Sequence, residues 1–149
     1  MSILVKPMAA QHIAAVAALE AACFSLPWSE DALREELTNP HARFLVAMDE
    51  DTVVGYMGCH LLFDEAAITN IATSPARRRE GIARQLLQHQ AAALRAEGAC
   101  RLTLEVRVSN HAARRLYQQE GFVLDGIRPR FYERPTEDAA LYSLYWKEG

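Results

Sequence analysis

The segment 68–87, ITNIATSPARRREGIARQLL, constrains the fold more than any other part of the chain. β-branched residues predict a strand over 67–73, and apolar residues at helical spacing predict a helix from Ile82 to about Glu97. The turn before a helix leaves backbone N–H groups free, and the helix dipole favours an anion beside them. Permanent positive charges surround this turn, namely Arg77, Arg78, Arg79 and Arg84. The segment therefore predicts a cradle for a diphosphate.

The turn also has an ordinary interpretation, a solvated charged loop that leads into a helix, and the motif alone favours it. Its position between a strand and a helix favours the anion site instead, because Gly81 and Ala83 add little bulk near the backbone. Neither the G-K-S/T ending of a Walker loop nor a G-x-G-x-x-G pattern is present. We therefore expect a diphosphate held by backbone and arginine, without an obligatory metal.

The length of 149 residues and the apolar content of 50% suffice for one domain with one sizeable core, spanning 1–149. No apolar run approaches the roughly 20 residues of a membrane span, and the first residues lack the layout of a signal peptide. Three cysteines without a C-x-x-C spacing predict neither a disulfide framework nor a zinc site. We expect a protein of the reducing cytoplasm.

Charge is distributed unevenly along the chain. Residues 1–65 carry three Lys and Arg against ten Asp and Glu, whereas residues 66–149 carry thirteen against nine. The second part is therefore suited to an anion and the first part to a cation. Nucleic acid is a poor candidate for the anion, because the positive excess is modest and the whole chain has a net charge of −3.

The remaining elements alternate between strands and helices. The strand expected at 101–108 is the clearest, because apolar Leu102, Leu104 and Val106 alternate with polar residues. Other strands are expected at 3–5, 44–48, 52–63, 122–124 and 140–146, and helices at 11–22, 30–37 and 110–120. An irregular stretch rich in Arg, Pro and aromatic residues is expected between the last two strands. The order predicts an α/β or α+β fold, with a mixed sheet and helices on both faces.

Residues 78–83, RREGIA, match the signature Gln/Arg-x-x-Gly-x-Gly/Ala of the GCN5-related N-acetyltransferase (GNAT) family. Other segments resemble bacterial members of that family and occur in the same order: FSLPWS at 24–29, DEA at 64–66, NIA at 70–72, LEVR at 104–107, SN at 109–110, LY at 116–117 and GF at 121–122. The resemblance implies a single GNAT domain with a mixed, mostly antiparallel central sheet. The sequence departs from the family at Thr73 and Ser74, where a valine and an acid are common, but those positions are expected to act through their backbone.

The resemblance implies that acetyl-coenzyme A (acetyl-CoA) is the co-substrate and that no metal takes part. The pantetheine arm is expected along an open edge of strand 67–73, where one backbone N–H polarises the thioester carbonyl. A fully paired central strand, the ordinary interpretation, would leave no room for the arm. The expected cofactor-binding residues are Ile71, Ala72, Thr73, Arg78, Arg79, Glu80, Gly81, Ile82, Ala83, Arg84 and Asn110, the last of which would also cap a helix.

Two residues are candidates for proton transfer. Glu105 would ordinarily be a surface carboxylate paired with Arg107 or with an arginine of a neighbouring strand, but the resemblance implies a general base, acting directly or through a water. Tyr117 would ordinarily be a core residue packed beside Leu116 and Phe122. For this tyrosine the resemblance implies a general acid that protonates the departing thiolate.

The resemblance also implies an acceptor, the N-terminal alanine of a small-subunit ribosomal protein. Trp28 is expected to form one wall of the peptide groove, although a loop aromatic that plugs the edge of the core is a comparable interpretation. Asp64 and Glu65 are expected to steer a cationic segment, and Tyr132 and Glu133 to lie in the same groove. Ribosomal protein tails are basic, so the charge fits, but it would also suit a polyamine.

The resulting hypothesis is a cytoplasmic, monomeric, acetyl-CoA-dependent protein N-α-acetyltransferase in which the amine attacks the thioester directly in a ternary complex. Cys23, Cys59 and Cys100 lie outside the motifs, so an acyl intermediate on cysteine is not expected. Two alternatives remain open, an N-acetyltransferase of small-molecule amines with the same fold and a CoA-binding module without catalysis.

Overall fold

A computed structural model describes residues 2–146, in which seven strands form one mixed sheet. The strands are β1 Leu4–Pro7, β2 Ala42–Asp49, β3 Thr52–Leu62, β4 Glu65–Thr73, β5 Arg101–Arg107, β6 Val123–Tyr132 and β7 Glu137–Tyr145. Their order across the sheet is β1-β2-β3-β4-β5-β7-β6. Every neighbouring pair is antiparallel except β4 and β5, which are parallel. The predicted mixed, mostly antiparallel sheet is confirmed.

Four α-helices cover the two faces of the sheet: α1 Ile13–Cys23, α2 Glu30–Glu36, α3 Ile82–Ala96 and α4 His111–Gln119. Short 3-10 turns at Ala10–His12 and Pro75–Arg77 precede α1 and α3. The Ser29 hydroxyl begins α2 by accepting a hydrogen bond from the Ala32 N–H at 3.1 Å. Helix α3 ends before Gly98, which has a φ of +94°, a conformation that favours glycine.

Two hydrophobic cores lie on opposite faces of the sheet. On one face, buried residues of α1 and α2 pack against β2 and β3: Ile13, Val16, Leu19, Leu33, Phe44, Val46, Met48 and Tyr56. On the other face, the apolar stripe of α3 and residues of α4 pack against β5 and β7: Ile82, Leu86, Leu87, Leu94, Tyr117, Leu102, Leu104 and Tyr142. The prediction of helices on both faces is confirmed.

The parallel strands β4 and β5 are paired only at their beginnings. The pairs are Glu65 with Arg101, Ala66 with Leu102 and Ala67 with Thr103, although β4 continues to Thr73 and β5 to Arg107. Beyond these pairs β4 stays bonded to β3, and β5 stays bonded to β7. The two strands therefore diverge, and a wedge opens between segment 68–73 and segment 104–107.

A β-bulge in β4 lies at the point where the wedge begins. Gly58 of β3 pairs with Asn70 and the next residue, Cys59, pairs with Ile68, so Thr69 is the extra residue of β4. Side chains of a strand alternate between the two faces of the sheet. One extra residue therefore moves every later side chain of the strand to the opposite face. Ile68 accordingly packs in the core of α3, whereas Ala72 packs in the core of α1.

The irregular stretch expected between the last two strands is a wrong prediction, because most of it forms β6 and the beginning of β7. Pro129 and the two arginines beside it, Arg128 and Arg130, concealed the strand in the sequence. They are tolerated because β6 is an edge strand whose pairing with β7 is interrupted by two register shifts. Pro7 is the last residue of the other edge strand, β1, and pairs with Leu45.

Within residues 2–146, no helix has the length and apolar character needed to cross a membrane. Residues 1 and 147–149 of the predicted domain lie outside the described residues.

Candidate active site

The turn between β4 and α3 has the backbone geometry that an anion site needs. Gly81 directly precedes α3 with a φ of +80°. Apart from its two chain neighbours, no residue of 2–146 comes within 4 Å of the position its Cβ would occupy. No side-chain hydrogen bond caps the start of this helix, so N–H groups of its first turn are left for another acceptor. The helix has 15 residues, and its dipole favours negative charge at this end.

Two of the four arginines near the turn have no carboxylate partner within residues 2–146. Arg78 and Arg79 are exposed, and Arg78 Nη2 donates a hydrogen bond to Cys23 Sγ at 3.7 Å. Their positive charges are therefore not neutralised by ion pairs and remain available to an anion.

The other two arginines are engaged with the protein. Arg77 pairs with Asp49 at 2.9 Å and with Glu80 at 3.0 Å, which braces the turn against the hairpin of β2 and β3. Arg84 Nε lies 3.1 Å from a carboxylate oxygen of Glu120, which joins α3 to the end of α4. Glu80 and Arg84, both expected to bind the cofactor, thus have protein partners; their roles stay predictions.

The wedge supplies a second part of the site. From Ile68 to Thr73, the edge of β4 that faces β5 has no strand pairing with β5. An extended ligand needs such an unpaired backbone edge to form hydrogen bonds with the strand. Ala72 is buried with its side chain in the core of α1, so it can contact a ligand in the wedge only through its backbone. The open wedge and the uncapped, arginine-flanked turn at its end fit acetyl-CoA, a thioester with a diphosphate.

Glu105 lies on β5 two residues beyond its last pairing with β4. Its side chain is exposed, and its carboxylate makes no hydrogen bond or ion pair with any residue of 2–146. Arg107, its expected ordinary partner, instead donates hydrogen bonds to the carbonyl oxygens of Glu133 and Pro135 at 2.9 and 2.8 Å. A carboxylate at the wedge without a protein cation is free to accept a proton; the role of general base stays a prediction.

Tyr117 lies in α4 and is 4% exposed. Its ring packs against Phe122 at 5.6 Å and Tyr142 at 6.3 Å between ring centroids, so the expected core packing is observed. Burial raises the pKa of Tyr117 well above its ordinary value. The Tyr117 hydroxyl has no hydrogen-bond partner within residues 2–146. Every fully enclosed polar side-chain atom of these residues has a partner, so the Tyr117 hydroxyl is not fully enclosed.

Tyr132, at the end of β6, connects the two candidates for proton transfer. The pKa of Tyr132 is raised to about 12, chiefly by burial and to a smaller extent by the negative charge of Glu105. Tyr132 in turn contributes to the raised pKa of Tyr117. The guanidinium of Arg107 lies over the Tyr132 ring, 4.6 Å from its centroid. The structure thus brings Glu105, Tyr132 and Tyr117, which are separate in the sequence, near one another.

The segment 24–29, which we name the acceptor loop after the role predicted for Trp28, connects α1 to α2. Trp28 is partly buried, and the centroid of its ring lies 6.1 Å from that of Phe44. Part of the Trp28 ring therefore packs at the edge of the core. In the same loop, the Ser25 hydroxyl donates a hydrogen bond to the carbonyl oxygen of Arg134 at 2.9 Å. Arg134 belongs to the connection between β6 and β7, so the acceptor loop and the segment that follows Tyr132 are in contact.

The remaining predicted residues have partners elsewhere. Asn110 accepts a hydrogen bond from the Ala113 N–H at 3.2 Å and so caps α4, as expected. Glu65 pairs with Arg101 at 3.0 Å, and the Asp64 carbonyl accepts a hydrogen bond from the Cys100 N–H at 2.7 Å. Both acids lie where β4 and β5 are still paired, outside the wedge. Their role in steering an acceptor stays a prediction.

Sequence reasoning missed three features of the site. The β4 bulge at Thr69 has no local signal, because it depends on the register with β3. Arg107 was considered only as a partner of Glu105, although it holds the connection between β6 and β7. The third feature is Glu20, which is buried in α1 and accepts a hydrogen bond from the Trp28 N–H. Its position on the apolar stripe of the helix was the sequence signal that could have indicated a buried acid.

Curated proteins from two bacteria resemble this chain over most of their length. A ribosomal protein bS18-alanine N-acetyltransferase of Haemophilus ducreyi is 36% identical over 132 residues, which cover 85% of this chain and 89% of the relative. The protein of the same name from Escherichia coli K12 is 33% identical over 130 residues, covering 85% and 86%.

The fold agrees with a solved structure. The crystal structure of the ribosomal-protein-S18-alanine N-acetyltransferase from Escherichia coli superposes with a TM-score of 0.92 at 27% identity, covering 99% of this chain and 96% of that one. The profile described as the acetyltransferase (GNAT) family matches residues 13–122. Taken with the uncapped turn before α3 and the wedge between β4 and β5, these likenesses show that the chain belongs to the GNAT acetyltransferase family.

Proposed function

We propose that this chain transfers the acetyl group of acetyl-CoA to the N-terminal alanine of ribosomal protein bS18. The observation that carries the proposal is the Glu105 carboxylate at the wedge, which has no cationic partner within residues 2–146 and lies near Tyr132, itself near Tyr117. A module that only binds CoA needs the wedge but has no need of this group. The names of the relatives supply the acceptor.

The proposed reaction needs a neutral amine, a polarised carbonyl and a protonated leaving group. Acetyl-CoA supplies the thioester that the acceptor amine attacks. Glu105 takes the proton of the amine, directly or through a water, and an α-amino group with an ordinary pKa of about 7.7–8.0 needs only a weak base. A backbone N–H on the open edge of β4 stabilises the developing oxyanion.

Tyr117 donates a proton to the departing thiolate. A raised pKa keeps its hydroxyl protonated at neutral pH, so the acid is present in the required form. No covalent intermediate on the protein is needed, and Cys59 is unsuited to one, because burial raises the pKa of its thiol to about 12. The proposed route is therefore direct transfer in a ternary complex.

The test is the mass of a peptide that begins with alanine and continues with basic residues, incubated with the protein and acetyl-CoA. We expect a gain of one acetyl group on the α-amine, and none on the same peptide with its N-terminus blocked. Polyamines and free amino acids serve as competing acceptors. If a free amine is acetylated faster than the peptide, or if a lysine side chain is acetylated instead of the α-amine, the proposed acceptor is wrong.

We further propose that the protein works in the cytoplasm as a monomer. The cytoplasm is compatible with relatives that modify a ribosomal protein. Size-exclusion chromatography with light scattering tests the monomer, and a mass of twice 16.7 kDa would contradict it.

A further inference from the structure

Glu20 is a buried acid without a cationic partner. It lies on α1, is 1% exposed, and forms no ion pair with any Lys, Arg or His of residues 2–146. Burying a carboxylate is unfavourable unless hydrogen bonds replace the lost water. A side chain in this position therefore needs donors from the surrounding protein.

The donors come from three separate segments. The backbone N–H of Trp28, in the acceptor loop, donates to Glu20 Oε1 at 2.9 Å. The Tyr56 hydroxyl of β3 donates to Glu20 Oε2, and the Asn70 amide of β4 lies 3.4 Å from the same oxygen. The Asn70 amide also donates to the Tyr56 hydroxyl. One carboxylate thus joins the acceptor loop to β3 and β4.

Asn70 reaches this network because of the β4 bulge. It follows the extra residue Thr69 directly, and the bulge places it on the face of the sheet that α1 covers. Gly58, opposite Asn70, leaves the necessary space, since a Cβ there would lie 2.5 Å from Asn70 Oδ1 and 2.4 Å from the Phe44 ring. The strand edge that faces the wedge and the acceptor loop are therefore fixed to the same side chain.

We infer that Glu20 is a positioning residue for the acceptor, which holds the acceptor loop in place beside the open part of β4. The inference rests on the proposed function, since it assigns the loop to the groove of the acceptor peptide. Glu20 touches neither reacting group, so its effect is expected on acceptor binding rather than on the chemical step.

Glu20→Gln separates this role from simple core packing. Glutamine has nearly the same volume but only one acceptor oxygen, whereas the carboxylate uses both oxygens. In the variant, either the Trp28 N–H or the Tyr56 hydroxyl and the Asn70 amide lose the oxygen that accepts their hydrogen bonds. Leu33→Ala is the matched control, because Leu33 is fully buried in the same core, on α2, and takes no part in the network.

The experiment measures kcat, the KM for the alanine-starting basic peptide, the KM for acetyl-CoA and amide hydrogen exchange of segment 24–29. For Glu20→Gln we expect the peptide KM to rise about tenfold or more, the size expected for a lost hydrogen bond to a charged group. The acetyl-CoA KM should stay unchanged, and exchange in the acceptor loop should quicken. Leu33→Ala should lower the melting temperature while leaving both KM values unchanged.

Tyr56→Phe keeps the inference testable if Glu20→Gln does not fold. It removes one donor and leaves the bond between Trp28 and Glu20, so the peptide KM should rise by about two- to fivefold, less than for Glu20→Gln. If the wild-type protein acetylates the peptide but the peptide KM is unchanged in these variants, the inference about Glu20 is wrong and the proposed function stands. A wild-type protein that leaves the peptide unmodified overturns the proposed function, and the acceptor role of Glu20 with it.

Discussion

The two sides of the site differ in how the chain builds them. The donor side, the turn between β4 and α3, is one continuous segment, 74–84, whose main features are a left-handed Gly81 and two unpaired arginines. The proposed acceptor side joins the acceptor loop to the connection between β6 and β7, across a hydrogen bond between residues 109 positions apart. Glu105 lies between the two sides, at the wedge.

This difference indicates what each side depends on. The donor side depends mainly on a local backbone conformation and the dipole of one helix, with one long-range brace from Arg77 to Asp49. The acceptor side needs long-range contacts to hold two loops, chiefly those of Ser25 with Arg134, Trp28 with Glu20, and Arg107 with the connection before β7. Substitutions on the two sides should therefore change different kinetic constants.

The largest effect is expected between the two sides. Glu105→Gln removes the proposed base without changing its volume, so kcat should fall by about 10²–10⁴, the usual contribution of general base catalysis. Steady-state kinetics with both substrates varied should show both KM values nearly unchanged. Full activity of the variant across pH 6–9 would exclude Glu105 as the base.

Tyr117→Phe should lower kcat by about 10², at the lower end of the range for a general acid. The ring and its packing remain, so the melting temperature should change little. Because burial raises the pKa of Tyr117, its hydroxyl stays protonated above the ordinary tyrosine value of about 10. The kcat of the wild type should therefore show no alkaline decline from this group between pH 7 and 9.5, and a decline that disappears in the phenylalanine variant would contradict the assignment.

Gly81→Ala tests the donor side alone. An L-residue at a φ of +80° costs about 1–2 kcal/mol, so the turn should leave this conformation and the KM for acetyl-CoA should rise about tenfold. Gly98→Ala is the control, because Gly98 has a φ of +94° with equally open surroundings at the far end of α3. If both variants change the acetyl-CoA KM equally, the effect comes from strain in α3 rather than from the anion site.

Ser25→Ala tests the acceptor side and should have the smallest effect. The hydroxyl makes one exposed hydrogen bond, worth about 0.5–1 kcal/mol, so the peptide KM should rise by about two- to fivefold. The acetyl-CoA KM should not change. Thr38→Ala, which removes another exposed hydroxyl bond to a carbonyl, serves as the control for general surface effects.

Much of the fold was predictable because its elements follow local patterns. The alternation of 101–107 and the apolar stripe of α3 appear in the structure as predicted. Strand β6 was not predictable, because Pro129 and its arginines are compatible with a strand only at the edge of a sheet. The register that makes Thr69 a bulge likewise depends on β3, which lies elsewhere in the sequence.

The sequence by itself indicated the family and predicted the donor side, because a strand, arginines, a glycine turn and a helix in succession are a pattern typical of an anion site. Only the tertiary structure decided which charges are available. It pairs Arg77 and Arg84 with acids, leaves Arg78 and Arg79 unpaired, and directs Arg107 away from Glu105. It also brings Glu105, Tyr132 and Tyr117 near one another and buries Tyr117 and part of Tyr132, and that burial raises the pKa values of both tyrosines.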